Sequence, residues 1–206
     1  MNAKNASKDL TPDIIQAALD LAAEKGWTHC SLADIAGRVD IKESELRLIF
    51  PDKSDILCAF NRQTDEAVQE SMNGALDENM SARDRLFDVM MERFDILNDH
   101  RDGLCAILSA VKCDPKQAIN GLPHFGRSMQ SMLHTANIDA GGFMGAAKTF
   151  GLLAIYLDTL RTWKQDDSPD MGKTMAALDK NLERAESFIG MCESREMPKP
   201  DFMKRK

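Results

Sequence analysis

Residues 31–50 read SLADIAGRVDIKESELRLIF. Two short apolar-periodic stretches flank a turn at Val39-Asp40-Ile41. Ser31 stands where a hydroxyl caps the free N–H groups of a helix, and Asp34 follows three residues later, the spacing of a capping box. A further short helix is expected over 42–49. This is the pattern of a helix-turn-helix, whose second helix enters the major groove of DNA. Its composition poses a question. Glu43 and Glu45 lie in the second helix and Asp40 just before it, whereas duplex DNA is a dense line of negative charge.

Upstream, Thr11-Pro12-Asp13 predicts a helix start, with Thr as N-cap and Pro at the first helical position. Ile14, Ile15, Ala18, Leu19 and Ala22 then recur at helical spacing, and Gly26 ends the segment. Downstream, Asp52-Lys53-Ser54-Asp55 caps a fourth helix that runs through Phe60 towards Ala75, and 73–80 is a loop. Ser81-Ala82-Arg83-Asp84 repeats the cap and opens a helix to about Asn98, whose wide apolar face predicts deep burial. A helix over 101–113 and a helical segment over 116–137 follow. The second of these is expected to break at Gly121-Leu122-Pro123, because proline cannot continue the hydrogen-bond ladder. Two long helices close the chain, and residues 196–206 are expected to fray. On 143–163 the stripe is Phe143, Ala147, Phe150, Leu153, Leu157 and Leu160, with Leu152, Ala154, Ile155 and Tyr156 off it. On 171–189 Met171, Met175, Leu178, Leu182, Ala185 and Ile189 step by four and three, a spacing suited to close helix–helix packing.

The 206 residues carry a net charge of −7, and residues 1–60 hold 7 Lys and Arg against 10 Asp and Glu. That balance lacks the basic footprint usual for phosphate contacts. The five cysteines form no CxxC pair and predict free thiols in a reducing compartment. The polar start MNAKNASKDL has no apolar signal stretch, and the apolar runs fall short of the ~20 residues of a membrane span. The expectation is a cytoplasmic protein. No phosphate loop, nucleophile elbow, zinc-protease pair or dinucleotide fingerprint is present, so no enzyme, metal or cofactor is predicted. The four histidines have no ligand-spaced partners, and Asp166 and Asp167 fit a solvated turn.

Residues 11–60 resemble the N-terminal part of the TetR family of bacterial regulators. Gly26, Trp27, Ile35-Ala36, Leu46, Phe50, Lys53 and Ile56 stand at that family's places. The family commonly has glycine where this chain has Asp40, and tyrosine and a basic residue where it has Arg47 and Ile49. The resemblance implies an all-α, TetR-like fold, with a helix-turn-helix domain over 1–55 and a helical ligand-binding and dimerisation domain over 56–206. It implies a regulator binding a palindromic operator in duplex DNA, with Lys42, Ser44, Glu45, Arg47 and Lys53 as contacts. An apolar small molecule or lipid is expected among Phe87, Met90, Met91, Phe94, Met129, Met132, Leu133, Phe150 and Leu153, a set rich in adaptable methionine. A homodimer is expected through 143–163 and 171–189. The segment WKQDDSPDMGKTMAALDKNLERAE, 163–186, is similar to the C-terminal end of the TetR-like accessory proteins of ubiquinone biosynthesis. That likeness implies an alternative: a lipid- or quinone-binding accessory protein that keeps the head as scaffold and does not bind DNA.

Overall fold

The computed structural model describes the backbone of residues 3–77, 79–112 and 115–194, and the side chains of 10–77, 79–111 and 124–187. Among the described residues all regular structure is helical. The helices are α1 (Ala3–Lys25), α2 (Leu32–Arg38), α3 (Glu43–Ile49), α4 (Lys53–Met72), α5 (Ala82–Asn98), α6 (Arg101–Lys112), α7 (Pro115–Thr135), α8 (Gly142–Trp163) and α9 (Gly172–Ser194), with a 3₁₀ turn at Trp27–His29. The chain divides into two compact units, 1–153 and 154–206. Helix α4 runs unbroken across the boundary expected after residue 55.

The helix starts inside the first unit are set by side chains a few residues away. Ser31 and Asp34 form a reciprocal capping box on α2, and Asp52 and Asp55 form another on α4. Ser81 accepts from the Asp84 amide at the head of α5. Gly26 ends α1 with φ 83°, a conformation glycine takes without Cβ strain.

Two proline expectations are corrected. Helix α1 begins at Ala3 and carries Pro12 inside it, and α7 runs continuously from Pro115 to Thr135 through Pro123. An interior proline removes one ladder bond and crowds one carbonyl. Helices of 23 and 21 residues keep the remaining bonds.

The first unit is held by contacts of α1 with α6, and of α4 with α5 and α7. At the first contact the backbones nearly touch: a Cβ on Gly103 of α6 would lie 2.4 Å from the Leu19 carbonyl oxygen of α1. Among α4, α5 and α7, Val68, Met90, Phe94, Met129, Met132 and Leu133 are buried. A charged group lies among them. Arg93 is 1% exposed and donates to Asp65 and Asn61 of α4. Ser128 of α7 donates to the other Asp65 oxygen at 2.6 Å.

The cysteine expectation is met at Cys30, Cys58 and Cys105, which are thiols. Cys113, the side chain of Cys192 and the 196–206 tail lie outside the described residues.

In the second unit the Asp166 turn is not solvated, contrary to the expectation. Asp166 is 1% exposed and ties the corner between α8 and α9. One carboxylate oxygen accepts from the Ser168 amide and hydroxyl. The other accepts from the Thr174 amide and hydroxyl, both at 2.8 Å. Burial opposes the charged form, but these hydrogen bonds outweigh it and hold the carboxyl well below the usual carboxylate range. A folded pKa below the unfolded one gives stability that is complete above the ordinary value of 3.8 and lost as pH falls below it. Asp166→Asn is expected to lose about 2 kcal/mol at neutral pH, since charge-assisted bonds become weaker neutral ones. The same variant is expected to lose part of the acid sensitivity seen by near-ultraviolet circular dichroism of Trp163. Identical acid titrations of the two proteins would show that Asp166 is not the group concerned.

Helix α8 has two apolar faces. Leu152, Tyr156, Leu160 and Trp163 are buried. Phe143, Phe150 and Leu157 are 90%, 72% and 45% exposed, with Ala147 and Ala154 exposed in line with them, whereas Leu153 and Leu160, read from the sequence on that stripe, are half-buried and buried. By length and composition alone α8 is long and apolar enough to cross a membrane, which the expectation from the sequence did not include. Its hydropathy comes from adding an inward face to an outward one.

Candidate nucleic-acid interface

The head is built so that α3 lies on it with one face buried and one bare. Leu46 and Phe50 are buried, as are Ile14, Ile35 and Ile56 of α1, α2 and α4. Lys42, Ser44, Glu45, Arg47 and Leu48 face solvent. The α2–α3 turn is closed by a bond from the Ile41 amide to the Ala36 carbonyl at 3.0 Å, which places Asp40 at φ 55°. This is a Schellman ending, where glycine is usual and aspartate is among the few tolerated replacements.

The cations expected to touch DNA are placed in three ways. Lys42 is exposed, and among the described head residues it is the Lys or Arg without a protein partner. Arg47 is exposed but donates from Nε and Nη2 to one Glu43 oxygen, at 2.9 and 2.6 Å. Lys53 turns inward. Its Nζ donates to the carbonyls of Trp27 at 2.9 Å and Cys30 at 2.6 Å, and lies 4.7 Å from the Trp27 ring centroid. An ammonium has three donors, so one is left for the phosphate anchor expected of Lys53. Its main task is to fasten α4 to the turn after α1. Ser44 and Glu45 stand on the bare face as expected.

Three of the head's acids, Glu24, Asp34 and Glu43, are partners of its own bases. Asp34 meets Lys25 at 2.8 Å, and Glu24 grips Arg38 through both guanidinium nitrogens. The Lys25 and Ser31 contacts hold the Asp34 carboxyl well below its ordinary range. Such exposed pairs add little stability, but they cancel charge locally. Glu45 has no ion pair among those found and remains the bare acid of α3.

The expected ligand residues fall into two groups. Met90, Met91, Phe94, Met129, Met132 and Leu133 are buried, and Phe87 and Leu153 are half-buried. Phe150 is corrected: it points outward, because α8 turns that stripe away from the core. A cleft of about 680 Å3 opens where the α3–α4 turn meets α4 and α7, lined among others by Phe50, Pro51, Cys58, Asn61, His124 and Arg127. None of the nine expected residues lines it. Sequence reasoning missed Leu48, which is 86% exposed on α3. Its signal was an apolar residue out of step with Leu46 and Phe50.

No protein-family model matches the chain. Among curated proteins it is similar to the fatty acid metabolism regulator protein of Bacillus subtilis (strain 168), 28% identical over 88 residues. The match covers 42% of this chain and 45% of that protein, so the chain spans about half the length of the curated relative it matches. Solved structures are similar over most of the chain. A TetR transcriptional regulator from Nitrosomonas europaea ATCC 19718 superposes with a TM-score of 0.69 at 24% identity, covering 87% of this chain and 99% of that one. FadR of Thermus thermophilus, a TetR-family repressor in complex with lauroyl-CoA, gives 0.57 at 15% identity, covering 84% and 91%. FadR of Bacillus subtilis in complex with stearoyl-CoA gives 0.54 at 21%, covering 83% and 95%. The fold is therefore all-α and TetR-like.

Proposed function

We propose that the protein is a ligand-controlled transcriptional regulator acting in the cytoplasm, with α3 as its reading helix. The observation that carries this is the bare outer face of α3, with Lys42, Ser44, Glu45 and Arg47 presented to solvent on a head whose buried side fixes their orientation. A major groove admits one helix at this depth. Lys42 and Arg47 contact phosphate or base edges, Ser44 and Glu45 face bases, and Lys53 contributes its remaining donor while holding α4 in register.

The ligand is apolar, of the fatty-acyl class. Support comes from the two FadR structures, which hold lauroyl-CoA and stearoyl-CoA. In this chain the acyl group occupies the interior around Phe87, Met90, Met91, Phe94, Met129, Met132, Leu133 and Leu153, where methionine side chains repack at low cost. It shifts the head only through a difference in affinity between two arrangements. The protein works as a homodimer through the outward face of α8 and through α9. Phe143 and Phe150 in the first unit, and Leu157 and Met175 in the second, are exposed apolar side chains of the kind that marks an interface, and light scattering is expected to give twice the 22.9 kDa of one chain. The lipid-accessory alternative drew on the acidic head and on the wording of 163–186. Against it stand the pairing of Asp34, Glu24 and Glu43 with Lys25, Arg38 and Arg47, and the structural role of Asp166 at the α8–α9 corner.

The test is selection from random duplex DNA at two salt concentrations, then anisotropy with added lauroyl-CoA. An enriched palindrome released by the acyl-CoA is the expected result; no binding at low salt refutes the regulator. Glu43→Gln frees Arg47 and removes a negative charge. It is expected to tighten binding by about 1 kcal/mol, roughly fivefold, and to steepen the salt slope by about one phosphate contact. An unchanged slope would mean that Arg47 stays off the backbone.

A further inference from the structure

Six large apolar side chains are exposed among the described residues: Leu48, Phe143, Met144, Phe150, Leu157 and Met175. Five of them lie on α8 and α9, on or beside the face proposed for a second copy. Leu48 lies on α3, flanked by Ser44 and Glu45 one turn back, and these are polar and exposed. A lone leucine in a polar setting is too small for a protein interface, which buries on the order of 800 Å2 per partner. It does match the apolar feature of the major groove, the 5-methyl group of thymine. We infer that Leu48 is a specificity-determining residue that reads a thymine methyl in each half-site, beside a cytosine read by Glu45. This rests on the regulator reading above.

The reason lies in what the other side chains of α3 have left to offer. Arg47 is held by Glu43. Glu45 accepts hydrogen bonds only, and the cytosine amino group is the major-groove donor of a C·G pair. Leu48 offers only apolar surface. A face with a bare carboxylate and a bare leucine selects by one amino group and one methyl, not by arginine against guanine. Residues three apart on a helix are about 4.5 Å apart along its axis, and base steps are about 3.4 Å. The cytosine and the thymine therefore fall within one or two steps of each other.

The experiment replaces each thymine of the selected duplex with uracil, which pairs identically but lacks the methyl group, and measures binding of the full chain. Burying one methyl is worth a factor of about four, so the wild type is expected to lose roughly fourfold per half-site at one thymine position. Leu48→Ala is expected to bind the thymine and uracil duplexes alike while keeping the rest of its preference. Glu45→Gln is expected to move the neighbouring preference from cytosine to adenine, which glutamine reads. Both side chains are exposed, so thermal melts of the variants should match the parent. A wild type indifferent to every thymine methyl, or a Leu48→Ala protein that keeps the uracil penalty, overturns this inference and leaves the regulator reading intact. A chain that enriches no duplex overturns both.

Discussion

Asp65→Ala is expected to cost about 3–5 kcal/mol, the range for removing one partner of a buried ion pair. Arg93 is 1% exposed, and its guanidinium lies between Asp65 and Asn61 of α4. Asn61 in turn donates to Ser128 at 2.6 Å, and Ser128 to Asp65, so α4, α5 and α7 share one polar cluster. Without the carboxylate a buried cation loses the counter-charge that Asp65 supplies. The loss is comparable to a large part of the ~5–15 kcal/mol that keeps a domain folded. A urea melt measures it, and the melting temperature should fall by roughly 10 °C. The paired replacement Asp65→Leu with Arg93→Met should recover most of the loss, because it leaves no charge to compensate. A single-variant cost below about 1 kcal/mol would mean that water reaches Arg93. Helix α4 carries the head's capping box at one end and this cluster further along, so under the proposed function a ligand that moved α5 or α7 would pull on the helix that follows α3.

Gly103→Ala is the second large effect, and its sign is opposite to the usual one. In a solvent-facing helix interior, alanine is better than glycine by about 1 kcal/mol. Here the new Cβ would lie 2.4 Å from the Leu19 carbonyl oxygen and 3.0 Å from its carbon. These are backbone atoms, with no flexible side chain to give way, so α1 and α6 must separate. Overpacking of this kind costs about 1–3 kcal/mol, and the melting temperature is expected to fall by roughly 4–8 °C. Because α1 carries part of the head's core, the proposed DNA affinity should fall with it. The control is Gly37→Ala on α2, where nothing lies within 4 Å of the added Cβ. That change should be neutral or stabilising. Equal effects at the two positions would count against the close approach.

What was legible in the sequence was local. The caps at Ser31, Asp52 and Ser81 each act over three residues, and the Gly26 ending over one, so the chain spells them directly. The resemblance over residues 11–60 also has a tertiary basis. Trp27 and Lys53 lie far apart in the chain, and the Lys53 ammonium sits over the Trp27 ring and donates to its carbonyl. The turn at Asp40 was also legible, since a left-handed position needs one of a few residue types. The proline rules failed at Pro12 and Pro123 because each weighs one lost bond and ignores the rest of a long helix.

The sequence by itself determined the all-helical class, the caps at Ser31, Asp52 and Ser81, and the presence of apolar residues on more than one side of α8. Each of these depends on spacing within a turn or two of helix. Only the tertiary structure decided which stripe faces inward, so that Phe150 is a surface residue and Leu152 a core one. It alone turned Lys53 towards the Trp27 and Cys30 carbonyls, buried Asp166 under α9 and Arg93 beside Asp65, and left Leu48 bare. Periodicity states how far apart two side chains lie along a helix. What each one meets depends on elements tens of residues away, and that meeting sets charge, burial and the availability of a side chain for DNA.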